Sequence, residues 1–216
     1  MKASTPSFPG RSERDITRAG RTFCPDRSVN RSAVKAYGRI DKFMGDGIMA
    51  VFGDAIPQGS SPAETAAAAC DAAVLAAIRM LEQFTELELK WREDWIEPFL
   101  RERDEGIELL LGIGVSYGPA SFSFISTTAS RHYTPIGSYI NLAQRLEQTA
   151  GSPQDRKLRG SILVTATVKR HVGNKLSDRT NLNWKPGQML RPKGIPYPLQ
   201  TYWVIPRGVN ADEEEA

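Results

Sequence analysis

Cysteine is scarce in this sequence, and long apolar runs are absent from it. Cys24 and Cys70 are the only two cysteines, and neither belongs to a Cys-x-x-Cys pair, which excludes a disulfide framework or a cysteine zinc site. No stretch approaches the roughly 18 apolar residues that span a bilayer, and the N-terminus lacks the apolar centre of a secretory signal. We therefore expect a cytoplasmic protein without direct membrane insertion.

Concentrated charge of one sign is also lacking. The formal net charge is +3 in 216 residues, and the basic residues are scattered along the chain. Nucleic-acid binders usually gather such residues on one face or arm, so we expect no nucleic-acid partner. The hydrophobic share of 40% and the charged share of 25% are those of an ordinary globular domain.

Regular periodicity is missing from the first thirty or so residues, which are rich in Ser, Arg, Pro and Gly. This composition predicts a poorly ordered segment over residues 1–33. Residues 34–206 have the patterns of one folded domain, and the acidic residues near the end predict a frayed tail over 207–216.

Within the domain, apolar spacing predicts an α+β fold: a mainly antiparallel sheet with flanking helices on one face. A hairpin is expected where Gly45-Asp46-Gly47 separates two short apolar runs. A second hairpin is expected across Gly118-Pro119, joining residues 108–116 to 120–125. The other predicted elements are a long helix over 62–90, a helix over Ser138–Thr149 that Gly151 closes, and strands at Ile162–Thr165 and Thr201–Ile205.

Two clusters carry candidate chemistry. The first, residues 41–53, places Asp46 at a glycine-flanked hairpin tip, where a carboxylate suits a hard cation such as Mg²⁺. The second, residues 133–147, places Asn141 and Arg145 four residues apart on one helix face, where an amide and a guanidinium can meet one phosphate-bearing ligand. Alone, each pattern also fits an ordinary polar turn or a surface helix.

Together and in this order, the two clusters resemble the two best-marked motifs of class III adenylyl and guanylyl cyclases. Gly112-Ile113-Gly114-Val115 and Gly118 resemble that family's strand and turn. Lys193-Gly194, followed by Thr201-Tyr202-Trp203-Val204, resembles its closing turn and last strand. The resemblance covers roughly residues 34–205 and implies the ferredoxin-like catalytic fold of these enzymes.

By this resemblance, the chain is an adenylyl cyclase that forms 3′,5′-cyclic AMP and pyrophosphate from ATP in cyclic-nucleotide signalling. Lys42 and Thr134 match the positions that recognise the adenine base, and guanylyl cyclases tend to place Glu and Cys there. Asn141 matches the residue that orients the ribose, Arg145 the one that stabilises the α-phosphate, and Lys193 a lysine that holds the terminal phosphates.

The resemblance also implies partners and cofactors. Asp46 matches the second of two aspartates that bind two Mg²⁺ or Mn²⁺ ions. The family places its metal residues and its base-recognition residues in different halves of a head-to-tail site, so a homodimer or a heterodimer with another cyclase chain is expected.

One departure from the family pattern leaves alternatives open. The family's first strand, which bears the first metal aspartate, has no clear match before Lys42; Asp15 is a faint echo at an unusual spacing. The chain is then an enzyme with Asp15 in an unusual position, a truncated product, or a catalytically incomplete domain that binds nucleotide and dimerises with another cyclase chain.

Overall fold

The computed structural model describes residues 38–53, 61–91, 109–126, 131–151, 160–173, 176 and 182–206. Its strands are β1 (Gly38–Met44), β2 (Gly47–Phe52), β3 (Leu111–Val115), β4 (Ser121–Ser126), β5 (Arg131–Ile136), β6 (Gly160–Thr165), β7 (Leu182–Leu190) and β8 (Leu199–Pro206). Its helices are α1 (Pro62–Trp91), α2 (Ser138–Ala150) and α3 (Ala166–His171). The segments predicted at 1–33 and 207–216 lie outside the described residues. Across the described helices, none is both long and apolar enough to cross a bilayer.

The central sheet has four strands in the order β3-β6-β8-β7. β3 pairs with β6 in parallel, while β8 is antiparallel to both β6 and β7. Two separate antiparallel hairpins, β1-β2 and β4-β5, complete the strands. The α+β class and the mainly antiparallel pairing are therefore confirmed.

Helices cover both faces of the central sheet, so the expectation that they share one face is wrong. Side chains alternate along β6: Ile162 and Val164 pack in the cluster that contains α1, while Leu163 packs with Leu142 and Leu146 of α2. Because successive side chains of a strand point to opposite faces, a strand that buries residues on both faces, such as β6, needs a layer on each side.

The expected hairpin between β3 and β4 is also wrong. β3 is held in the central sheet by β6, and β4 pairs with β5 instead, with Phe122 opposite Pro135 and Ser123 opposite Thr134. The continuous apolar run of β3 is typical of a parallel strand that is covered on both faces, and proximity in sequence does not reveal such pairing. The turn around Gly118 packs against the Tyr139 ring and leads the chain away from the central sheet.

The long helix α1 begins where the sequence predicts it. The Ser61 amide and hydroxyl both donate to the Glu64 carboxylate at 2.8 Å, and the Glu64 amide donates back to the Ser61 hydroxyl at 3.3 Å. This reciprocal arrangement satisfies amides that a helix start otherwise leaves without partners. Along its length α1 buries small side chains, such as Ala69, Ala73 and Ala77, which allow a close approach to the sheet.

Two glycines of β3 fix the position of α2. A Cβ on Gly112 would lie 2.5 Å from the Gly151 amide nitrogen, and one on Gly114 would overlap the α2 backbone at Ala143 and Glu147. Only a bare backbone allows the helix to lie directly on this strand. The glycines noted in the sequence therefore set the height of α2 above the sheet.

Candidate active site

A β-bulge in β1 shapes the first part of the site. The register passes from Ile40 opposite Ala50 to Lys42 opposite Met49, so Asp41 is an extra residue in β1. In a regular strand, neighbouring side chains point to opposite faces, whereas a bulge changes that alternation locally. Here both Asp41 and Lys42 reach the same residue, Thr134 of β5.

Lys42, Thr134 and Asp41 form one hydrogen-bonded cluster. The Lys42 Nζ donates to Thr134 Oγ1 at 2.7 Å, and Thr134 Oγ1 donates to Asp41 Oδ2 at 2.8 Å. The Lys42 Nζ also lies 3.2 Å from Asp41 Oδ2. Asp41 is 1% exposed and Lys42 is 43% exposed, so the cluster has a buried acid beneath an accessible amine. Lys42 and Thr134, which the resemblance assigns to one site, are thus in direct contact within a single chain.

Arg39 lies beside this cluster and connects the two hairpins. Its Nη1 is 3.6 Å from Asp41 Oδ1, and its guanidinium carbon is 5.8 Å from the centre of the Phe122 ring and 5.7 Å from that of Tyr133. A guanidinium at such distances is attracted by the ring faces. The two hairpins, which share no backbone pairing, are therefore joined by polar and cation–π contacts.

Asp46 is exposed at the tip of the β1-β2 hairpin. Gly45 beside it has a φ of 65°, a left-handed conformation that favours glycine, and this lets the two-residue turn close between Met44 and Gly47. The charge of Asp46 reaches α2: partial burial, and then repulsion by Asp46, raises the pKa of Glu147. The Asp46 carboxylate at the hairpin tip and the Glu147 carboxylate of α2 are therefore close enough to repel each other.

A metal ion would find an incomplete site among these residues. Asp46 offers the oxygen ligand that Mg²⁺ or Mn²⁺ prefers. The part of the chain that the structure describes contains no group of three or more His, Cys, Asp or Glu side chains able to hold an ion. The described residues therefore do not fit the two-ion site that the resemblance implies, and Asp15 lies outside them.

The helix α2 carries the two remaining residues of the second cluster. Leu142 and Leu146 are fully buried against the central sheet, whereas Asn141 and Arg145 are exposed on the other side of the helix. The spacing of four residues places Asn141 and Arg145 on one face, as the sequence predicts. The contact of α2 with Gly112 and Gly114 then fixes where that face lies.

Lys193 is exposed in the turn between β7 and β8, and this turn is tied to the beginning of α2. Gly194 has a φ of 86°, and its carbonyl accepts a hydrogen bond from the Ser138 hydroxyl at 3.3 Å. The hydroxyls of Tyr139 and Tyr197 lie 3.1 Å apart, a contact that raises the pKa of Tyr139. These contacts bring the Lys193 turn next to the helix that carries Asn141 and Arg145.

A cavity of about 440 Å³ lies elsewhere, between β2, α1 and β3. It is lined mainly by apolar side chains and contains none of the six candidate site residues, Lys42, Asp46, Thr134, Asn141, Arg145 and Lys193. Chemistry rather than concavity identifies the candidate residues, which lie on the two hairpins, on α2 and in the Lys193 turn.

Sequence reasoning missed Asp41. An acid directly before Lys42 in an alternating strand is expected on the opposite face from the lysine, where it would be an ordinary surface residue. The bulge instead directs Asp41 to the same residue as Lys42, and no local feature of the sequence predicts the bulge.

Comparison with known proteins identifies the fold. No protein-family model matches the sequence, and no curated protein matches it. Among solved structures, the adenylyl cyclase CyaB from P. aeruginosa aligns with a TM-score of 0.62 and 23% identity over 90% of this chain and 84% of that chain.

Two further structures agree with that result. The guanylate cyclase domain of RhGC from Catenaria anguillulae, in complex with GTP, aligns with a TM-score of 0.54 and 20% identity over 91% of this chain and 87% of that chain. An adenylate cyclase from Trypanosoma brucei aligns with a TM-score of 0.54 and 17% identity over 93% of this chain and 85% of that chain. The chain therefore has the fold of class III adenylyl and guanylyl cyclase catalytic domains.

Proposed function

We propose that this chain is a nucleotide cyclase catalytic domain of the adenylyl type, converting ATP into 3′,5′-cyclic AMP and pyrophosphate. The observation that carries the proposal is the hydrogen bond of 2.7 Å between Lys42 Nζ and Thr134 Oγ1, on a fold that both adenylyl and guanylyl cyclases share. The fold alone does not choose between the two bases, so the choice rests on this pair.

The pair complements adenine. Lys42 can donate to N1 of adenine, which is an acceptor, and meets a repulsive N–H at N1 of guanine. Thr134 can accept from the 6-amino group of adenine, where guanine has a carbonyl oxygen instead. ATP thus pairs both polar groups, whereas GTP mispairs Lys42 at N1, and a mispaired polar group typically costs about 1–3 kcal/mol.

The other residues act on the sugar and the phosphates. The ribose 3′-oxygen forms a bond to the α-phosphorus while the bond from that phosphorus to the pyrophosphate oxygen breaks, and the 3′-hydroxyl proton is released. Asn141 orients the ribose, and Arg145 neutralises charge on the α-phosphate as the new bond forms. Lys193 holds the terminal phosphates and so favours pyrophosphate as the leaving group.

A dimer completes the site in this proposal. Apolar side chains stand exposed at one end of β1 and on β4 and β5: Phe43 and Met44, then Phe122, Phe124, Tyr133 and Ile136. Large exposed apolar groups of this kind favour burial against a partner. We expect Asp46 of one protomer to serve the site whose base-recognition residues, Asn141 and Arg145, come from the other, in a homodimer or with another cyclase chain.

Mg²⁺ or Mn²⁺ would neutralise phosphate charge in such a site, with Asp46 as one ligand. Its other ligands would be phosphate oxygens, water and residues outside the described ranges. No step proposed above for Asn141, Arg145 or Lys193 passes through the ion.

A second candidate function is favoured by the missing match to the first metal aspartate. Such a domain would have only one metal carboxylate, Asp46. It would bind ATP through Lys42, Thr134, Asn141 and Arg145 and would raise the activity of a partner cyclase without turnover of its own.

The test is cyclic nucleotide formation by the purified chain. ATP or GTP is supplied with Mg²⁺ or Mn²⁺, and binding is measured in parallel by competition with a fluorescent ATP analogue. We expect the wild-type chain to form cyclic AMP. Arg145→Ala should abolish this activity, whereas the surface change Arg170→Ala should leave it intact. Binding of ATP without turnover would support the second candidate, and binding of neither nucleotide would overturn both.

A further inference from the structure

Asp41 has no role in the function proposed above, yet it is the most buried member of the polar cluster. Its side chain is 1% exposed, and its Oδ2 faces both Thr134 and Lys42 at 2.8 Å and 3.2 Å. Burying a carboxylate is costly unless charged and hydrogen-bonding partners compensate. The bulge that directs Asp41 inward places this acid where it controls its two neighbours.

The donors and acceptors of the cluster can be counted. A threonine hydroxyl has one proton and two acceptor positions. The proton of Thr134 is directed at Asp41 Oδ2, and one acceptor position takes the bond from Lys42 Nζ. The Thr134 hydroxyl then has one acceptor position left for a ligand, and it has no proton left to donate.

The same count applies to Lys42. Its ammonium group has three protons, of which one is donated to Thr134, and its charge lies 3.2 Å from Asp41 Oδ2. Donor capacity is therefore left on a side chain that is 43% exposed. The cluster offers a donor on Lys42 beside an acceptor on Thr134, which matches the N1 and 6-amino edge of adenine.

We propose that Asp41 is a specificity-determining positioning residue, which fixes the Thr134 hydroxyl as an acceptor so that the site takes 6-aminopurine and rejects 6-oxopurine nucleotides. This inference rests on the proposed function. A hydroxyl can rotate and donate as readily as it accepts, so Thr134 alone would also bond the carbonyl oxygen of guanine. Asp41 removes that freedom because a carboxylate only accepts.

The first test compares two changes at Asp41. Asp41→Val removes the acceptor and frees the Thr134 hydroxyl, so the ratio of GTP to ATP dissociation constants should fall about tenfold, the effect of one mispaired polar group. Asp41→Asn keeps an oxygen that can accept from Thr134 and should retain most of the preference. In a Thr134→Val background, Asp41→Val should change the ratio far less, since the hydroxyl that Asp41 orients is then absent.

The matched control is Asp71→Val. Asp71 is another partly buried carboxylate, and it accepts a hydrogen bond from the Gly173 amide at 2.8 Å, remote from the cluster. Its replacement should lower stability without changing the nucleotide ratio. An unchanged ratio in folded Asp41→Val would overturn the inference, as would a loss of preference that persists in the Thr134→Val background.

A second measurement needs no variant and so remains decisive if Asp41→Val does not fold. N6-methyladenosine triphosphate and 6-methoxypurine riboside triphosphate have similar shape and the same N1 acceptor, but position 6 carries a donor in the first and an acceptor in the second. The wild-type protein should bind the first about tenfold more tightly. Equal binding overturns the inference alone, whereas a wild-type protein that binds neither ATP nor these analogues overturns the proposed function too.

Discussion

The central sheet with α2 and the two hairpins hold their candidate site residues by different means. Leu142, Leu146 and Leu163 are fully buried where α2 meets β6, and the bare glycines of β3 bring the helix backbone onto the strand. In the hairpins, by contrast, Phe43, Phe124 and Tyr133 are 51%, 71% and 47% exposed. Packing fixes the first region, whereas a few polar and cation–π contacts join the two hairpins.

This difference separates the two groups of candidate residues. Asn141 and Arg145, which we propose to act on the ribose and the phosphates, are positioned by the core and should keep their places in a lone protomer. The cluster that we propose to recognise the base depends on contacts between two hairpins whose apolar side chains are exposed. We therefore expect turnover to be sensitive to assembly, and base choice to be sensitive to single polar contacts.

The largest expected effect is loss of turnover when either half of the composite site is removed. Arg145→Ala and Asp46→Ala should each lower the rate by about a hundredfold or more, the usual effect of removing one preorganised charge partner. Mixing the two variants should restore about a quarter of wild-type activity. About half of the dimers are then mixed, and each of these contains one intact site of two.

The control for this mixing experiment is the exchange of subunits, followed with two fluorescent labels. Failure to recover activity while labelled subunits exchange would show that each site is built within one protomer. The core and the hairpins of a single chain would then have to serve one site.

The next effect is on stability. Gly114→Ala forces a Cβ into the α2 backbone at Ala143 and Glu147, and should lower the free energy of unfolding by about 1–3 kcal/mol. Gly47→Ala is the matched change in a hairpin, where the new Cβ would meet only the Met44 carbonyl at 3.5 Å. Urea unfolding measures both. Equal destabilisation by the two changes would contradict the contrast between packed core and open hairpin.

A smaller effect concerns base choice. Changing Lys42→Glu and Thr134→Cys together should weaken ATP and improve the relative use of GTP, because glutamate can accept from N1 and N2 of guanine. The ratio of ATP to GTP preference should move by at least roughly tenfold. Competition binding measures the ratio even when turnover is slow. An unchanged ratio would mean that the hairpin cluster does not meet the base.

The smallest effect is a pH dependence of stability that comes from a partly buried acid of α1, Asp71. Burial, opposed by the hydrogen bond from Gly173, raises the pKa of Asp71 above its ordinary 3.8. The folded state then holds this proton more tightly than the unfolded state, so stability is lost as pH rises through the folded value. Asp71→Asn should be slightly more stable than wild type at pH 7, by a few tenths of a kcal/mol after screening, and equal to it near pH 3.5.

Thermal unfolding at the two pH values tests this prediction, and Glu64→Gln provides a control of opposite sign. Hydrogen bonds from Ser61 lower the pKa of Glu64, so its stabilising contribution is present at neutral pH and is lost in acid. The prediction would be contradicted if the Asp71→Asn variant were less stable than the wild type at pH 7.

Sequence alone determined the elements whose signals are local. The turn at Gly45–Asp46 predicted the first hairpin, apolar spacing predicted the long helix, and the spacing of Asn141 and Arg145 predicted their shared face. Each depends on residues within a few positions of one another, where backbone preference and periodicity suffice. The order of the motifs also led to the cyclase fold that the solved structures confirm.

Tertiary structure decided what depends on pairing over long distances. β3 pairs with β6, a strand that buries residues on both faces. The helices lie on opposite sides of the sheet because the side chains of β6 alternate between the two faces. The inward position of Asp41 arises from a bulge against β2 and a hydroxyl 93 residues away on β5. Such contacts involve residues that are remote in sequence, so no window along the chain contains both partners.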